Sequence, residues 1–294
     1  MNTIEYAKIF QQELDKQIVQ ASTTGWMEDN TGQVIYNGGN EIKIPDLVMQ
    51  GLANYSREEG FAKGSVTFKF QTYALTMDRG RRFRLDAMDV DESNFGVTAA
   101  RVASEFQRTK VIPEIDAYRY SKLSAAAAIS STYTPAASTI LSKLYEDINA
   151  VRDEVGDVDL VISISRKIYG MLSMSDKISR QLVLSQFKQG DIDMAIKTLD
   201  NIPLIPVPSA RMKSEYIFTA DGEGGYTPAE GAKQINWIVC PRRSPIAISK
   251  TDNIKIITPE LNQQADAWDI PYRKYHDIII PDNQKAAIAV SFAG

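Results

Sequence analysis

A mixed α+β fold is predicted for this chain by three observations. Two long amphipathic helical patterns lie in its first half, strand patterns crowd its tail, and helix and strand alternate between them. No internal repeat or low-complexity segment breaks that order. A length of 294 residues suits roughly one to three domains around a buried core.

The elements follow in order. Residues 2–20 are predicted helical: Asn2 and Glu5 form a capping-box pair, and Ala7, Phe10, Leu14 and Ile18 recur at helical spacing. This helix reads either as a surface helix on the core or as an arm docking on a neighbour. Residues 25–41, rich in Gly and Asn, read as a linker. Ile42 and Ile44 alternate before Pro45 as a short strand, and residues 51–64 are irregular. Val66, Phe68, Phe70 and Thr72 then share one face, with Thr67, Lys69, Gln71 and Tyr73 on the other, which predicts a half-buried antiparallel strand. With Phe83 and Leu85 beyond it, the stretch reads as a β-arm.

A helix is next. Asp91, Glu92 and Ser93 place acid and a capping oxygen at its start, and Phe95, Ala99, Val102 and Phe106 form its apolar stripe. Pro113 predicts a kink or a restart at Pro113-Glu114, because proline suits only a first turn. A second helix is predicted over 134–155, with Pro135 at its first position, Gly156 at its end, and Ile140, Leu144, Ile148, Val151 and Val155 on one face. Residues 158–165 read as a buried strand, followed by helical stretches over 167–174 and 176–189. Further strands are predicted over 202–207, 235–240, 247–249, 254–257, 272–275, 276–280 and 286–292. Residues 220–233 hold four glycines and read as a mobile surface loop.

Composition narrows the function. A hydrophobic fraction of 44% and a charged fraction of 24% are those of a soluble globular protein. The net charge of −4 gives no global pull toward nucleic acid or anionic membrane. No apolar run approaches the ~18 residues of a membrane span, and the charged N-terminus lacks a secretory core, so cytoplasmic synthesis is expected. Cys240 is the single cysteine, which excludes an intrachain disulfide. His276 is the single histidine, which excludes dyads or metal sites needing a second one; it reads as an ordinary strand-end histidine. Gly222, Gly224 and Gly225 lack dinucleotide-loop spacing, and Ser185 to Lys188 is a chance Ser-x-x-Lys match. Neither a catalytic residue, a cofactor nor a metal is expected.

The notable segment is charged. Arg79, Arg81, Arg82 and Arg84 surround Phe83, and Asp86, Asp89, Asp91 and Glu92 follow at once, four charges of each sign within fourteen residues. The acids lack the glycine turn and ligand spacing of a calcium loop. They would also repel a polyanion, so arginine forks pairing carboxylates on an adjacent copy are the better reading. Adjacent blocks of opposite sign can neutralise each other locally, and they also suit head-to-tail association of one chain with itself. These eight residues are the candidate intersubunit contacts.

The strings Asp78-Arg79-Gly80 with Phe83, Asp86 to Glu92, Val111-Ile112-Pro113-Glu114-Ile115-Asp116-Ala117-Tyr118-Arg119-Tyr120, and Trp268 through Tyr275-His276-Asp277 resemble a major capsid protein of tailed bacteriophages. The resemblance covers the chain after its first ~35 residues as a pattern match rather than an alignment. It implies the Hong Kong 97-type fold: an N-terminal arm (1–36), an extended β-hairpin loop (37–86), a peripheral domain with a long spine helix (87–122), an axial α/β domain (123–249) and returning peripheral strands (250–294). It also implies an icosahedral shell of pentamers and hexamers enclosing the genome, assembled in a host bacterial cytoplasm and located in the virion. The implied partners are other copies, a separate scaffolding protein, a portal, and packaged DNA through weak non-specific contact, with no membrane. In such shells the spine helix bends during maturation, which makes Pro113 the flex candidate. Some relatives cross-link a lysine to an asparagine; Lys63 or Lys69 with Asn283 would need a buried carboxylate between them. An encapsulin-like nanocompartment shell shares the fold, and an α/β small-molecule enzyme is the more distant alternative.

Overall fold

The computed structural model describes residues 22–36, 41–55, 57–58, 60–88, 96–174, 182–189, 192–220 and 222–294. The helix expected over 2–20, and Asp89, Asp91, Glu92, Ser93 and Phe95, lie outside these residues.

The largest sheet has seven strands. They are β5 (Ile129–Thr132), β6 (Leu160–Ser165), β7 (Leu182–Gln189), β8 (Ile192–Leu199), β9 (Ile202–Val207), β12 (Ile235–Pro241) and β15 (Ala289–Phe292), in the order β5-β15-β12-β6-β9-β8-β7. The central strands read as continuous apolar runs because both faces are covered. Alternate residues of β6 and β12 go to opposite cores, Val161, Ile238 and Cys240 to one and Ile162, Ile164, Trp237 and Val239 to the other. A helix over Ile140–Val155 covers the second core with Ile140, Leu144, Ile148 and Val151, all fully buried at helical spacing. Its C-terminus stops at Gly156, whose φ of 75° leaves the right-handed helical region. It starts at Ile140 instead of Pro135, because the Tyr133 hydroxyl accepts from Ala136 N and bonds Thr139 Oγ1, which fixes a turn ahead of it.

A second sheet has the order β13-β14-β4, from β4 (Met77–Asp86), β13 (Ile246–Ile254) and β14 (Ala267–Ile279). The two tail strands expected at 272–280 are one continuous strand, β14, because it ladders against β13 on one side and β4 on the other. β4 therefore belongs to the body, and the expected β-arm over 37–86 is shorter than its sequence span. Within that arm β2 (Glu41–Met49) pairs with β3 (Val66–Ala74), and β1 (Ile35–Tyr36) pairs with β2. Pro45 does not end β2; on this two-partner strand it faces Phe70.

One long helical run joins the two sheets. Helix α1 (Gly96–Phe106) leads through a π turn (Gln107–Val111) into α2 (Ile112–Ala126). Phe106 and Ala103 pack on the small sheet against Tyr272, Ile270 and Ile254, whereas Tyr118, Tyr120 and Leu123 pack on the large one. Pro113 meets the expected restart, since an α-helix opens at Ile112 directly after the π turn. It sits in the first turn of α2, and the wider turn before it, with Ile112 N–H donating five residues back to Gln107 O, accommodates the missing donor and the ring.

Three more expectations are corrected. Residues 25–33 are a 3-10 helix (Gly25–Gln33) whose Trp26 and Met27 fill the first core, so this stretch is no linker. The helix expected over 176–189 is, from Leu182, strand β7, held in hairpin register to β8 with Gln189 opposite Ile192. Residues 220–233 include β11 (Tyr226–Pro228), which pairs with β10 (Tyr216–Phe218).

Gly80 shows how tightly β4 meets β14. A Cβ there would lie 2.8 Å from the Tyr272 carbonyl oxygen, a backbone atom that cannot step aside. Gly80→Ala is expected to destabilise the subunit by about 1–3 kcal/mol, measured by denaturant unfolding; wild-type stability would refute this packing.

Candidate functional site

Strand geometry divides the basic segment. Successive side chains of β4 leave on opposite faces, so Arg79 and Arg81 point one way and Arg82 and Arg84 the other. Arg79 donates to Glu114 of α2 at 2.6 Å and to the carbonyls of Thr219 and Gly225 at 2.9 and 3.1 Å. Arg81 donates to the Gly222 carbonyl at 2.9 Å. Arg82 and Arg84 both donate to the buried Asp269, which stands directly opposite Arg84 on β14. Asn262 adds a third donor to that carboxylate at 3.1 Å. The guanidinium bonds, Arg82's foremost, hold the Asp269 carboxyl well below the usual carboxylate range.

The carboxylates expected on an adjacent copy are thus supplied to Arg79, Arg82 and Arg84 by the same chain, far away in sequence. The segment is a brace between strand, helix and loop, and its four charges do not form one patch. Asp86 is exposed and accepts from Met88 N at 3.0 Å.

The string at 113–120 is the polar hub of the subunit. Asp116, fully buried, accepts from Ser22 Oγ (2.9 Å), Thr23 N (3.1 Å), Thr23 Oγ1 (2.9 Å), Thr24 Oγ1 (2.6 Å) and Arg211 (3.0 Å). Arg119 donates to the Thr24 carbonyl (3.3 Å) and to Glu28 (2.5 Å). Tyr118 donates to Asp277 of β14 at 2.8 Å, and the other oxygen of Asp277 takes both the amide and the hydroxyl of Thr76 at 2.8 Å. Tyr120 donates to the Thr23 carbonyl at 3.2 Å. Burial raises the proton affinity of the Tyr118 and Tyr120 hydroxyls, so both stay neutral donors. Sequence reasoning singled out this string for its resemblance alone; a helix mixing acid, base and tyrosine on every side was the available physical sign.

Beyond the hub the hairpin leaves the body. Its base is buried through Ile42, Ile44 and Leu75. Farther out, cross-strand pairs Pro45/Phe70, Leu47/Phe68 and Met49/Val66 share one face, and all six side chains are exposed. Phe68 and Phe70 stack edge to face at 4.9 Å. Past them come Leu52, Tyr55 and Phe61, also exposed, the last two in edge contact at 5.0 Å. Eight of the fifteen large apolar side chains exposed among the described residues lie between 47 and 70. A contiguous apolar face of this kind marks an interaction surface.

Among the described residues no group of three or more His, Cys, Asp or Glu is placed to hold a metal. Cys240 is enclosed, and burial pushes its thiol up to about 12, which makes it inert as a nucleophile.

No family model matches the sequence, and no curated protein matches it. Solved structures do. The mature capsid of bacteriophage PhiM1 aligns with a TM-score of 0.59 at 10% identity, covering 88% of this chain and 83% of that one. The capsid of cyanophage P-SCSP1u gives 0.59 at 9% identity over 87% and 84%. The head of Helicobacter pylori bacteriophage KHP40 gives 0.58 at 12% identity over 88% and 85%. The fold is that of tailed-phage capsid chains, as the resemblance to the Hong Kong 97 type implied.

Two outcomes test the hub. Asp116→Ala leaves Arg211 and the Thr23 amide without their acceptor and is expected to destabilise the subunit by about 3–5 kcal/mol, read by chemical denaturation. His276 is buried, and burial first, then Arg119 and Lys274, hold its proton affinity well below the ordinary 6.5. Below pH 6.5 the unfolded chain therefore binds a proton that the folded chain refuses. Stability should fall as pH drops from 6.5, and His276→Gln should flatten that limb of a Tm-against-pH curve.

Proposed function

We propose that this chain is the major capsid (head) protein of a tailed bacteriophage, a structural protein and not an enzyme, which self-assembles into the icosahedral shell around the genome. The single observation that carries this reading is the apolar outer face of the β2–β3 hairpin. A two-stranded ribbon with six exposed apolar side chains on one face has no reason to persist in a free monomer. Half-covering six such side chains supplies roughly 5 kcal/mol per contact before ordering costs. Many copies sum such modest contacts into a stable shell.

The remaining parts fit. The division into arm, extended loop, spine region (87–122), axial region (123–249) and return strands (250–294) follows the same reading, with the loop ending ahead of β4 and the arm ahead of the 3-10 helix Gly25–Gln33. So do pentamers and hexamers of the chain, a virion location with assembly in the host cytoplasm, and a separate scaffolding protein and portal. A net acidic chain suits an inner wall that contacts DNA weakly. Arg81 and Asp86, exposed and without an ion pair among the described residues, remain candidates for contacts between copies. Pro113, with the π turn ahead of it, is the candidate point where the long helix bends as the shell expands.

Leu47→Asp with Phe68→Asp should leave the circular dichroism spectrum of the subunit unchanged and abolish megadalton particles in sedimentation and negative stain; normal shells from this variant would refute the role of the hairpin face. Pro113→Ala should alter the yield or expansion of shells, and unchanged assembly and expansion would remove it as the flex point.

A further inference from the structure

A cleft of about 570 Å³ lies between the small sheet and the long helix. One face of that sheet forms its floor. Arg79, Arg81 and Phe83 alternate along β4, and Tyr272, Lys274 and His276 alternate along β14, with Arg81 opposite Tyr272 and Arg79 opposite Lys274. The helix supplies the wall, with Phe106 ahead of the π turn, Lys110 within it and Ile115 beyond it. The loop that carries Glu223 forms the rim.

Most of the charge in this lining is cancelled. Asp78 is paired with Arg273, Glu114 with Arg79, and the buried Lys274 with Asp252. His276 stays neutral, because burial lowers its proton affinity. What remains among the described residues is Arg81 and Lys110 against Glu223, all three exposed and none in an ion pair, which leaves the cleft positive by one charge. Arg81 spends one donor on the Gly222 carbonyl, and the rest of its planar fork suits a carboxylate or a phosphate.

The apolar part of the lining is aromatic. Phe106 meets Phe83 edge to face at 4.7 Å and Tyr272 at 5.9 Å, so three rings border the same space. A preformed cleft of this volume, with an apolar wall and a few polar groups to orient the occupant, is of the size that takes small molecules.

We propose that this cleft binds a small aromatic anion, its flat ring set against Phe83, Phe106 and Tyr272 and its carboxylate or phosphate held by Arg81 and Lys110. A ring without an acid group forgoes the charge-assisted hydrogen bonds, and an anion without a ring forgoes the aromatic contact. Free aromatic acids and nucleoside monophosphates share this chemistry. The bound molecule touches the long helix on both sides of the π turn, so it ties the two halves of the helix to each other and to β4. The site is built within one chain and stands apart from the shell reading.

Calorimetric titration of the purified full-length chain tests it. Naphthoate and adenosine monophosphate represent the two sources, and naphthalenemethanol and inorganic phosphate represent the ring and the anion alone. Naphthoate, adenosine monophosphate or both should bind saturably and raise the melting temperature of the chain, since a ligand of the folded state stabilises it. The ring alone and the anion alone should each bind about tenfold more weakly or worse. Arg81→Gln with Lys110→Gln should weaken binding of the whole ligand by about tenfold or more, with the melt of the unliganded chain retained. Tighter naphthoate binding assigns the site to aromatic acids, and tighter adenosine monophosphate binding assigns it to nucleotides. Saturation by neither molecule, a ring or anion alone that binds as well as the whole, or a double variant that binds like the wild type overturns the site and leaves the shell reading untouched.

Discussion

The subunit depends on what happens to the polar side chains of α2. Between Ile115 and Tyr120 every residue of that helix is buried, so an acid, a guanidinium and two phenols lie inside the protein. Unpaired, each would carry a penalty of several kcal/mol, and an isolated charge far more. Each is instead paired to a residue far away in sequence: Asp116 to residues 22–24 and Arg211, Tyr118 to Asp277, Arg119 to Glu28, Tyr120 to Thr23. The helix thereby fixes the entry of the chain, the strand β14 and, through Asp277 and Thr76, the root of the hairpin. Satisfying the buried groups and positioning the hairpin are one requirement.

A division of labour follows. Most of the strong charges of the basic segment are spent inside the subunit, where β4 splits them between Asp269 on one face and Glu114 with the loop carbonyls on the other. Apolar groups do the reverse: among the described residues the body buries most of its own, while the hairpin exposes its outer ones. Charge ties distant elements of the chain together, and apolar area is left exposed on the hairpin. Under the shell function proposed above, that arrangement suits interfaces of more than one curvature, since apolar contact is less directional than a bidentate ion pair.

Legibility in the sequence varied with the range of the deciding interaction. The helix at Ile140–Val155 and the strand at Leu160–Ser165 were readable because period and cap are local. The stretch ending at Gln189 reads as helix in the sequence because Val183 and Leu184 stand four and three residues before Phe187; the ladder to β8 overrides that spacing. The Gly- and Asn-rich composition of residues 25–41 concealed Trp26 and Met27, two of the core's fully buried side chains. At the site, the charged residues were visible but their partners were not: Arg84 and Asp269 are 185 positions apart, and no periodicity links them.

By itself, then, the sequence determined which segments alternate, which are amphipathic, where a helix must stop, that the class is α+β, and that the 113–120 string resembles capsid chains. Tertiary structure alone decided that β4 leaves the arm to pair with β14, that the arginines brace their own subunit, and that the hairpin face stands uncovered. The physical reason is that a periodic pattern reports which face of an element is apolar, whereas the identity of the covering surface depends on contacts between residues far apart in the chain.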